Sequence, residues 1–306
     1  MILFDFSNIS IIAIMGDLRG DHSAEVNLSA FRNLVLRQVL EYRQKYVTRF
    51  GEMVICADGN DYWRRQVFPY YKFSRKKSKA DSDYDWEAIK SCQHTILEEL
   101  RRFFPYPVIE TPSAEADDVI AIMAEYTQGN ELDTEGLFST PKDTVIISAD
   151  TDFVQLSKWK NIKQFCPMKR EQVKTDLPLN RFCLEHILTG DTGDGIMNVN
   201  THDNFFYDKE QNPDLKVRQK PITAKIKDFY YEQWKKHGKI DTWLQPEHEV
   251  NFARNERLVM FEHIPQHVKD SVLESYHKQL GKGRGKILPY LSAARLTNLI
   301  SECDNF

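Results

Sequence analysis

Short apolar runs that end on an aspartate recur along the chain. Three of them, at residues 1–5, 53–58 and 144–150, carry no charge before their last position. Unbroken apolar runs of this length are typical of strands buried on both faces, as in a parallel sheet. Because parallel strands point the same way, Asp5, Asp58 and Asp150 are predicted to converge at the carboxyl edge of the sheet, where ligands of α/β folds bind.

Apolar residues at helical spacing lie between and after these runs. They predict helices over about 28–46 and 86–104, whereas the stretch after the first run, which carries Gly16 and Gly20, is predicted to be a loop. Residues 107–110 and 161–166 are candidates for short strands. From residue 181 the pattern is helical to the end, apart from a polar segment at 200–219. An α/β domain followed by a helical region is therefore expected.

A further helix, predicted over 113–125, begins with three acids. Carboxylates in a first turn stabilise a helix by about 0.3–1 kcal/mol through its dipole, with Ser113 as the expected N-cap. Capping is thus one explanation of Glu115, Asp117 and Asp118. Three acids exceed what a cap requires, however, and in this order of elements the helix start falls at the same sheet edge as the strand-end aspartates.

The composition agrees with an α/β domain followed by a helical region. The chain has 306 residues, of which 41% are hydrophobic and 28% charged, as is typical of a soluble globular protein. No run approaches the roughly 18 apolar residues of a membrane span, and no signal sequence is evident, so an intracellular protein is expected. The five cysteines are widely spaced, which indicates reduced thiols rather than a zinc site or a disulfide framework.

The net charge of −4 conceals a strongly basic segment at residues 61–79. Seven bases and several aromatic residues are mixed there, with no acid after Asp61. Bases attract phosphates and aromatic faces stack on unpaired nucleobases, so the segment suits single-stranded nucleic acid. An amphipathic helix with a solvated basic face would have the same composition. The position directly after Asp58 favours a segment that holds an anion over a metal site.

A second turn rich in glycine and aspartate lies at residues 190–195 and adds Asp191 and Asp194. Its glycines free the backbone so that amides can cradle a phosphate, although an ordinary interhelical loop would look the same. The histidines do not offer an alternative metal site, because Pro265 separates His263 from His267 and disfavours a regular helix there.

The clustered acids call for divalent cations. Like charges raise one another's pKa unless a metal neutralises them, and carboxylates without a histidine or cysteine cluster suit hard cations such as Mg²⁺. Two such ions about 3.5–4 Å apart can activate a water and stabilise the leaving oxygen of a phosphodiester.

The order of these acidic motifs resembles that of the 5′-nuclease or flap-endonuclease superfamily, and the likeness covers nearly the whole chain. The motifs are Asp5, Asp58, Glu115 with Asp117 and Asp118, Asp150 with Asp152, and Asp191 with Asp194. The resemblance implies a PIN-like α/β domain over 1–180, with a mostly parallel sheet and a helical arch at about 60–90. It also implies a helical duplex-binding and C-terminal domain over 181–306, which contains a helix-three-turn-helix module.

The resemblance also implies the roles of individual residues. Two Mg²⁺ ions, replaceable by Mn²⁺, would be bound by a first group of acids, Asp5, Asp58, Glu115, Asp117 and Asp118, and a second group, Asp150, Asp152, Asp191 and Asp194, in part through water. The implied catalytic residues are Lys72, Arg75 and Asp117. The implied nucleic-acid-binding residues are Arg64, Arg65, Tyr71, Lys72, Arg75, Lys76, Gly193, Gly195 and Lys225.

The implied activity is hydrolysis inward from a 5′ end of RNA–DNA hybrids and flap DNA. It would remove RNA primers and 5′ flaps during phage-type DNA replication, by a cytoplasmic monomer, in the host cell if phage-encoded, with a single-stranded DNA-binding protein as a partner. One departure from the family pattern is the polar segment before residues 220–225, which bears on duplex binding. Two alternatives are a non-catalytic nucleic-acid-binding protein and a haloacid-dehalogenase-like phosphatase, although Ser7 occupies the position of that phosphatase's second aspartate.

Overall fold

A computed structural model describes residues 1–18, 26–73, 75, 82, 84–129, 140–212, 218–238 and 246–306. The chain divides into two compact units. The first unit consists of Met1–Asp61, Asp83–Lys174 and Pro265–Phe306, and the second unit consists of Tyr62–Ser82 and Thr175–Ile264. Each unit is therefore made of segments that are separate in the sequence. No helix among the described residues has the length and apolar character needed to cross a bilayer.

The first unit is built on a six-stranded sheet of order β3-β2-β1-β4-β5-β6. Its strands are β1 Ile2–Asp5, β2 Met53–Cys56, β3 Val108–Ile109, β4 Thr144–Ile147, β5 Ile162–Cys166 and β6 Glu171–Gln172. The first five are parallel and β6 is antiparallel to β5, so the predicted mostly parallel sheet is confirmed. Every residue of β1, β2 and β4 is buried, which explains their unbroken apolar sequences.

The topology places the strand-end acids near one another. The chain leaves β1 towards β2 and β3, and it returns to β4 on the other side of β1. The point where the strand order reverses therefore lies between β1 and β4, and ligands of open α/β sheets bind in the crevice at such a point. Asp5 ends β1, and Asp150 follows β4 by three residues.

Helices surround the sheet of the first unit and make up most of the second. Those of the first unit are α1 Phe6–Leu18, α2 Leu28–Phe50, α4 Trp86–Phe103, α5 Ala116–Tyr126, α10 Gln266–His277, α11 Ile287–Ala293 and α12 Thr297–Ile300. Those of the second unit are α3 Trp63–Val67, α6 Leu179–Thr189, α7 Phe205–Gln211, α8 Ala224–His237 and α9 Pro246–Val259. Short 3₁₀ helices lie at Asp152–Lys158, Phe261–His263 and Cys303–Asn305.

The last forty residues belong to the core of the first unit. Ile287, Leu291 and Phe306 are almost fully buried, in the same hydrophobic cluster as Ile2 and Phe4 of β1. A polar network supports this packing, because the Arg32 guanidinium donates two hydrogen bonds of 2.7 Å to the Glu99 carboxylate. The Tyr290 hydroxyl donates a third, also of 2.7 Å, to Glu99. The network joins α2, α4 and α11, which are distant in sequence.

In the second unit, two buried asparagines hold the chain on either side of the polar segment at 200–219. Asn255 is fully buried, and its amide donates to the carbonyl oxygens of Ile187 and Met197, both at 2.8 Å. The Asn198 backbone N–H donates to the Gln219 side-chain oxygen at 2.8 Å, and the Asn198 side-chain amide donates to the Lys220 carbonyl at 2.7 Å. The polar segment also contains α7, which was not predicted.

Two local predictions were wrong. Residues 6–18, which include Gly16 of the expected loop, form helix α1, while Gly20 lies outside the described residues. Polar residues are too few in α1 to show a helical period. The second error is Ser113, which does not cap α5. Glu115 occupies the N-cap, and Ser113 lies before it with a φ of 66°.

Candidate active site

Asp5 is the most buried of the three strand-end aspartates, with a relative exposure of 3%. Its carboxylate accepts hydrogen bonds from the Ser148 hydroxyl at 2.7 Å and from the Asn8 backbone N–H at 3.0 Å. Burial raises the pKa of Asp5 to about 7, with smaller contributions in the same direction from the negative charges of Asp58 and Asp150. The two hydrogen bonds oppose this rise without cancelling it.

Asp58 connects the end of β2 to the start of α5. One carboxylate oxygen accepts the Ser7 hydroxyl at 2.7 Å, and the other accepts the Ala116 backbone N–H at 3.0 Å. The second bond brings a carboxylate to the N-terminus of a helix, where the backbone N–H groups and the dipole favour negative charge. The helix of the Glu115 motif thus starts at the same sheet edge as Asp58, as predicted.

The acids of this helix are not equivalent. Glu115 and Asp118 are 1% and 0% exposed and form a capping box, in which the Glu115 backbone N–H donates to Asp118 at 3.0 Å. The capping interpretation therefore accounts for one carboxylate oxygen of Asp118. Asp117, between them, is partly exposed. Of the three acids, Asp117 is the one with access to solvent.

The loop after β4 is fixed by its own hydrogen bonds. The backbone N–H of Asp150 donates to the Ser148 hydroxyl at 3.1 Å, and that of Asp152 donates to the Asp150 carboxylate at 2.8 Å. The Asn8 side chain accepts the Ala149 backbone N–H at 3.1 Å. Ser7, Asn8 and Ser148 thus position the aspartates, although sequence reasoning gave them no such role. Their only sequence signal is that each lies within three residues of a strand end.

The first unit therefore holds Asp5, Asp58 and Asp150 close enough for their charges to interact at the switch point. All the donors are carboxylate oxygens, the ligand type that Mg²⁺ and Mn²⁺ prefer. A buried acid whose pKa is raised to about 7 is partly protonated at neutral pH, and a bound cation would restore its ionised form. The residues present thus fit a divalent metal site.

The second unit carries the basic segment and the turn rich in glycine and aspartate. The Tyr71 hydroxyl donates to the Asp194 carboxylate at 2.8 Å, the Lys72 ammonium lies 3.6 Å from it, and the Arg75 guanidinium pairs with it. Asp191 shapes the turn, because its carboxylate accepts the Gly193 backbone N–H at 2.7 Å. The structure thus brings Tyr71, Lys72 and Arg75 together around one carboxylate.

The other predicted nucleic-acid-binding residues are placed differently. Arg65, Gly193 and Lys225 are exposed, and Lys76 lies outside the described residues. Arg64 is 4% exposed, and its Nε donates to the Leu258 carbonyl at 2.7 Å. Its predicted role in nucleic-acid binding stays a prediction.

Gly195, the other glycine predicted to bind nucleic acid in this turn, is buried. Its φ is 73°, and an added Cβ would lie 3.0 Å from the Tyr70 carbonyl oxygen. Glycine is required there so that the turn can approach the basic segment.

One group of potential ligands in the second unit was not predicted. Ligand atoms of Glu256, Glu262 and His263 lie within 4.8 Å of one another. Glu262 and His263 are exposed, and exposed acidic groups of this kind are common without a metal.

Comparison with known proteins decides the family. The model of the family described as "5'-3' exonuclease, N-terminal resolvase-like domain" matches residues 16–178, more than half of the chain. The chain belongs to the 5′-3′ exonuclease family. A second family model, described as "T4 RNase H, C terminal", matches residues 180–306. Together the two matches confirm the resemblance inferred from the acidic motifs.

Relatives and solved structures agree with the family assignment. Ribonuclease H of Enterobacteria phage T4 is 29% identical over 312 residues, covering 99% of this chain and 95% of that protein. A DNA polymerase I of Rhizobium leguminosarum is 29% identical over 143 residues, covering 42% of this chain and 13% of that protein.

Two solved phage T5 structures share the fold of this 5′-3′ exonuclease family member. A flap endonuclease in complex with DNA and metal ions has a TM-score of 0.58 and 15% identity, with 91% of this chain and 97% of that one covered. A 5′-exonuclease with bound zinc has a TM-score of 0.57 and 16% identity, with 91% and 98% covered. The chain is thus a nuclease with the fold of the T5 enzymes.

Proposed function

We propose that this nuclease hydrolyses phosphodiester bonds inward from the 5′ ends of RNA–DNA hybrids and flap DNA, with two Mg²⁺ ions that Mn²⁺ can replace. The observation that carries the proposal is the state of Asp5. A buried carboxylate beside two further acids, with its pKa raised to about 7, is costly to keep unless a cation binds there. A nuclease that needs divalent ions would use these carboxylates as metal ligands.

The acids predicted from the sequence form two groups of proposed ligands. Asp5, Asp58, Glu115, Asp117 and Asp118 would hold one ion, and Asp150 and Asp152 the other, with Asp191 and Asp194 of the second unit as further proposed ligands, in part through water. When bound, such ions activate water and stabilise the developing charge on the phosphate. Ser148 and Asn8 hold the Asp5 carboxylate in a single orientation, which limits the reorganisation that binding requires.

Cations of the second unit would bind the substrate. Lys72 and Arg75 already surround a carboxylate and are suited to orient a phosphate and stabilise its charge. Tyr71, Arg65, Lys225 and the turn at Gly193 would add contacts to the nucleic acid. This reaction needs no side-chain nucleophile, because water supplies the attacking oxygen.

The test compares cleavage of a 5′-labelled flap and an RNA–DNA hybrid by the wild type, Asp117→Asn and Asp143→Asn. Asp143 is a matched control, since it is an aspartate of the same unit whose known partner is the exposed Arg49. We expect Mg²⁺-dependent release of short 5′ products by the wild type and by Asp143→Asn. Asp117→Asn should lose at least about 100-fold in rate, the order of loss expected when a group that stabilises charge is removed.

Other results would favour the alternatives. Tight binding without cleavage by the wild type would indicate a nucleic-acid-binding protein without catalysis. Release of phosphate from small esters without DNA cleavage would indicate the phosphatase. The same substrates, compared as RNA–DNA hybrid against DNA flap, also measure which nucleic acid the nuclease prefers.

The biological role follows as part of the proposal. Removal of RNA primers and 5′ flaps during phage-type DNA replication fits a 5′ nuclease of this family. The monomer would act in the cytoplasm, that of the host cell if phage-encoded, and a replication single-stranded DNA-binding protein is the proposed partner.

A further inference from the structure

Within the second unit, one carboxylate organises the basic segment. Asp194 accepts a hydrogen bond from the Tyr71 hydroxyl at 2.8 Å, and its side chain pairs with Lys72 at 3.6 Å and with Arg75. The backbone takes part as well. The Lys72 N–H donates to the Asp194 carbonyl at 2.7 Å, and the Arg75 Nε donates to the Gly193 carbonyl at 3.1 Å.

The Lys72–Asp194 pair is partly shielded from water. The side chains of Lys72 and Asp194 are 11% and 15% exposed, whereas that of Arg75 is 51% exposed. Ion pairs in such surroundings are screened less by salt than pairs on an open surface. Gly195 permits the close approach, because a side chain there would meet the Tyr70 carbonyl. The contact between Asp194 and the basic segment therefore depends on the backbone conformation of the turn.

The donors around Asp194 are of the kind that binds a phosphate. Two cations and a phenolic hydroxyl converge on a pair of anionic oxygens, and phosphate oxygens accept the same charge-assisted hydrogen bonds. A phosphodiester of the nucleic-acid backbone carries one negative charge and two unesterified oxygens, as the carboxylate does. It could therefore take the place of the carboxylate on the same donors.

We propose that Asp194 is an internal anion that occupies the place of a substrate phosphate on Lys72 and Arg75 in the free protein. Binding of the nucleic-acid backbone displaces the carboxylate from both cations, so Asp194 positions them and also competes with substrate. This role rests on the proposed function and is separate from metal binding, because it operates without any metal.

The test is binding without metal, where cleavage cannot occur. Fluorescence anisotropy in EDTA would give the Kd of a 5′-tailed duplex for the wild type, Asp194→Asn and Asp228→Asn. Asp228 is the matched control, an aspartate of the same unit that pairs with Arg181 and is 58% exposed. We expect Asp194→Asn to bind about three- to tenfold more tightly, and Asp228→Asn to change the Kd by less than about twofold.

A second measurement distinguishes competition from a purely structural role. Removing an internal anion should steepen the dependence of log K on log salt by about one counterion, because a cation becomes fully available to the phosphates. When Arg75 is replaced by glutamine, Asp194→Asn should raise the affinity for nucleic acid by less, because one of the two competing cations is gone. If Asp194→Asn does not fold, Asp194→Ser removes the same charge with a smaller side chain, and the same gain in affinity is expected.

The possible results distinguish the role of Asp194 from the proposed function. Equal or weaker binding by folded Asp194→Asn, with an unchanged salt slope, overturns the competition and leaves Asp194 as a metal ligand or a scaffold. Wild-type cleavage of a flap with Mg²⁺, measured on the same preparation, tests the proposed function separately. If the wild type neither binds nor cleaves, both proposals fail. If it cleaves but Asp194→Asn gains no affinity, only the role of Asp194 fails.

Discussion

Replacing Asp5 with asparagine should stabilise the metal-free protein while it disables the site. Asp5 is 3% exposed, and its pKa is raised to about 7 in the folded protein, against an ordinary value of 3.8. Because the folded-state pKa is the higher one, the folded protein favours the protonated carboxyl. The stability that this provides is fully present below about pH 4 and is lost as the pH rises through about 7.

The size of the effect follows from that difference. A rise of about 3 pKa units corresponds to about 4 kcal/mol, of which roughly 2–3 kcal/mol is lost between pH 5 and pH 8. Asparagine has nearly the same shape, carries no charge, and can still accept one hydrogen bond through its oxygen. Asp5→Asn should therefore have a free energy of unfolding that falls less than that of the wild type over this pH range.

Urea unfolding in EDTA at pH 5 and pH 8, followed by tryptophan fluorescence, measures the difference. Asp143→Asn serves as the control for the loss of one aspartate, since the Asp143 side chain is 44% exposed. Addition of Mg²⁺ at pH 8 should stabilise the wild type more than Asp5→Asn, because the ion binds the ionised carboxylate. Our reasoning would be refuted if Asp5→Asn were less stable than the wild type at pH 8. It would also be refuted if the difference in free energy of unfolding between the two proteins did not grow from pH 5 to pH 8.

Three further predictions concern the packing that supports the two units, each measured by urea or thermal unfolding. Tyr290→Phe removes one hydrogen bond to Glu99 and should lower the free energy of unfolding by about 1 kcal/mol. Glu99→Gln should lower it by about 3 kcal/mol, because Arg32 then has no buried counter-ion. Equal losses for the two variants would contradict the network. Gly195→Ala should cost about 1–3 kcal/mol at its φ of 73°, whereas Gly283→Ala, whose added Cβ meets nothing within 4 Å, should cost less than about 0.5 kcal/mol. Asn255→Leu should cost about 2–4 kcal/mol, since the Ile187 and Met197 carbonyls lose a buried donor; a neutral effect would contradict this role.

The sequence predicted β1 to β5, and the acids that follow three of them, because both have strong local patterns; β6 was not predicted. Buried parallel strands leave apolar runs, and Asp5, Asp58 and Asp150 stand at or just after their ends. Helix α1 was missed because it is apolar on nearly every face, so no helical period shows in its residues. The packing of the last forty residues into the first unit could not be predicted either, since no local pattern specifies which distant core a helix joins.

Within the site, the type of residue was more predictable than its partners. Acids clustered at one sheet edge indicated a metal site, but no sequence pattern shows that Ser148 and Asn8 hold the Asp5 carboxylate. Arg64 and Arg65 are neighbours in the same basic segment, yet one is buried against the Leu258 carbonyl and the other is exposed. Composition assigns a charge to a segment, whereas burial decides which of its residues can meet a ligand.

The central claim is that the carboxylates at the end of β1, β2 and β4 bind the metal of a nuclease. Anomalous diffraction from crystals soaked in Mn²⁺ would locate the ion directly. We predict a peak beside Asp5, Asp58 and Asp150 that disappears in Asp5→Asn. A peak only at Glu256, Glu262 and His263, or none beside Asp5, would contradict the claim.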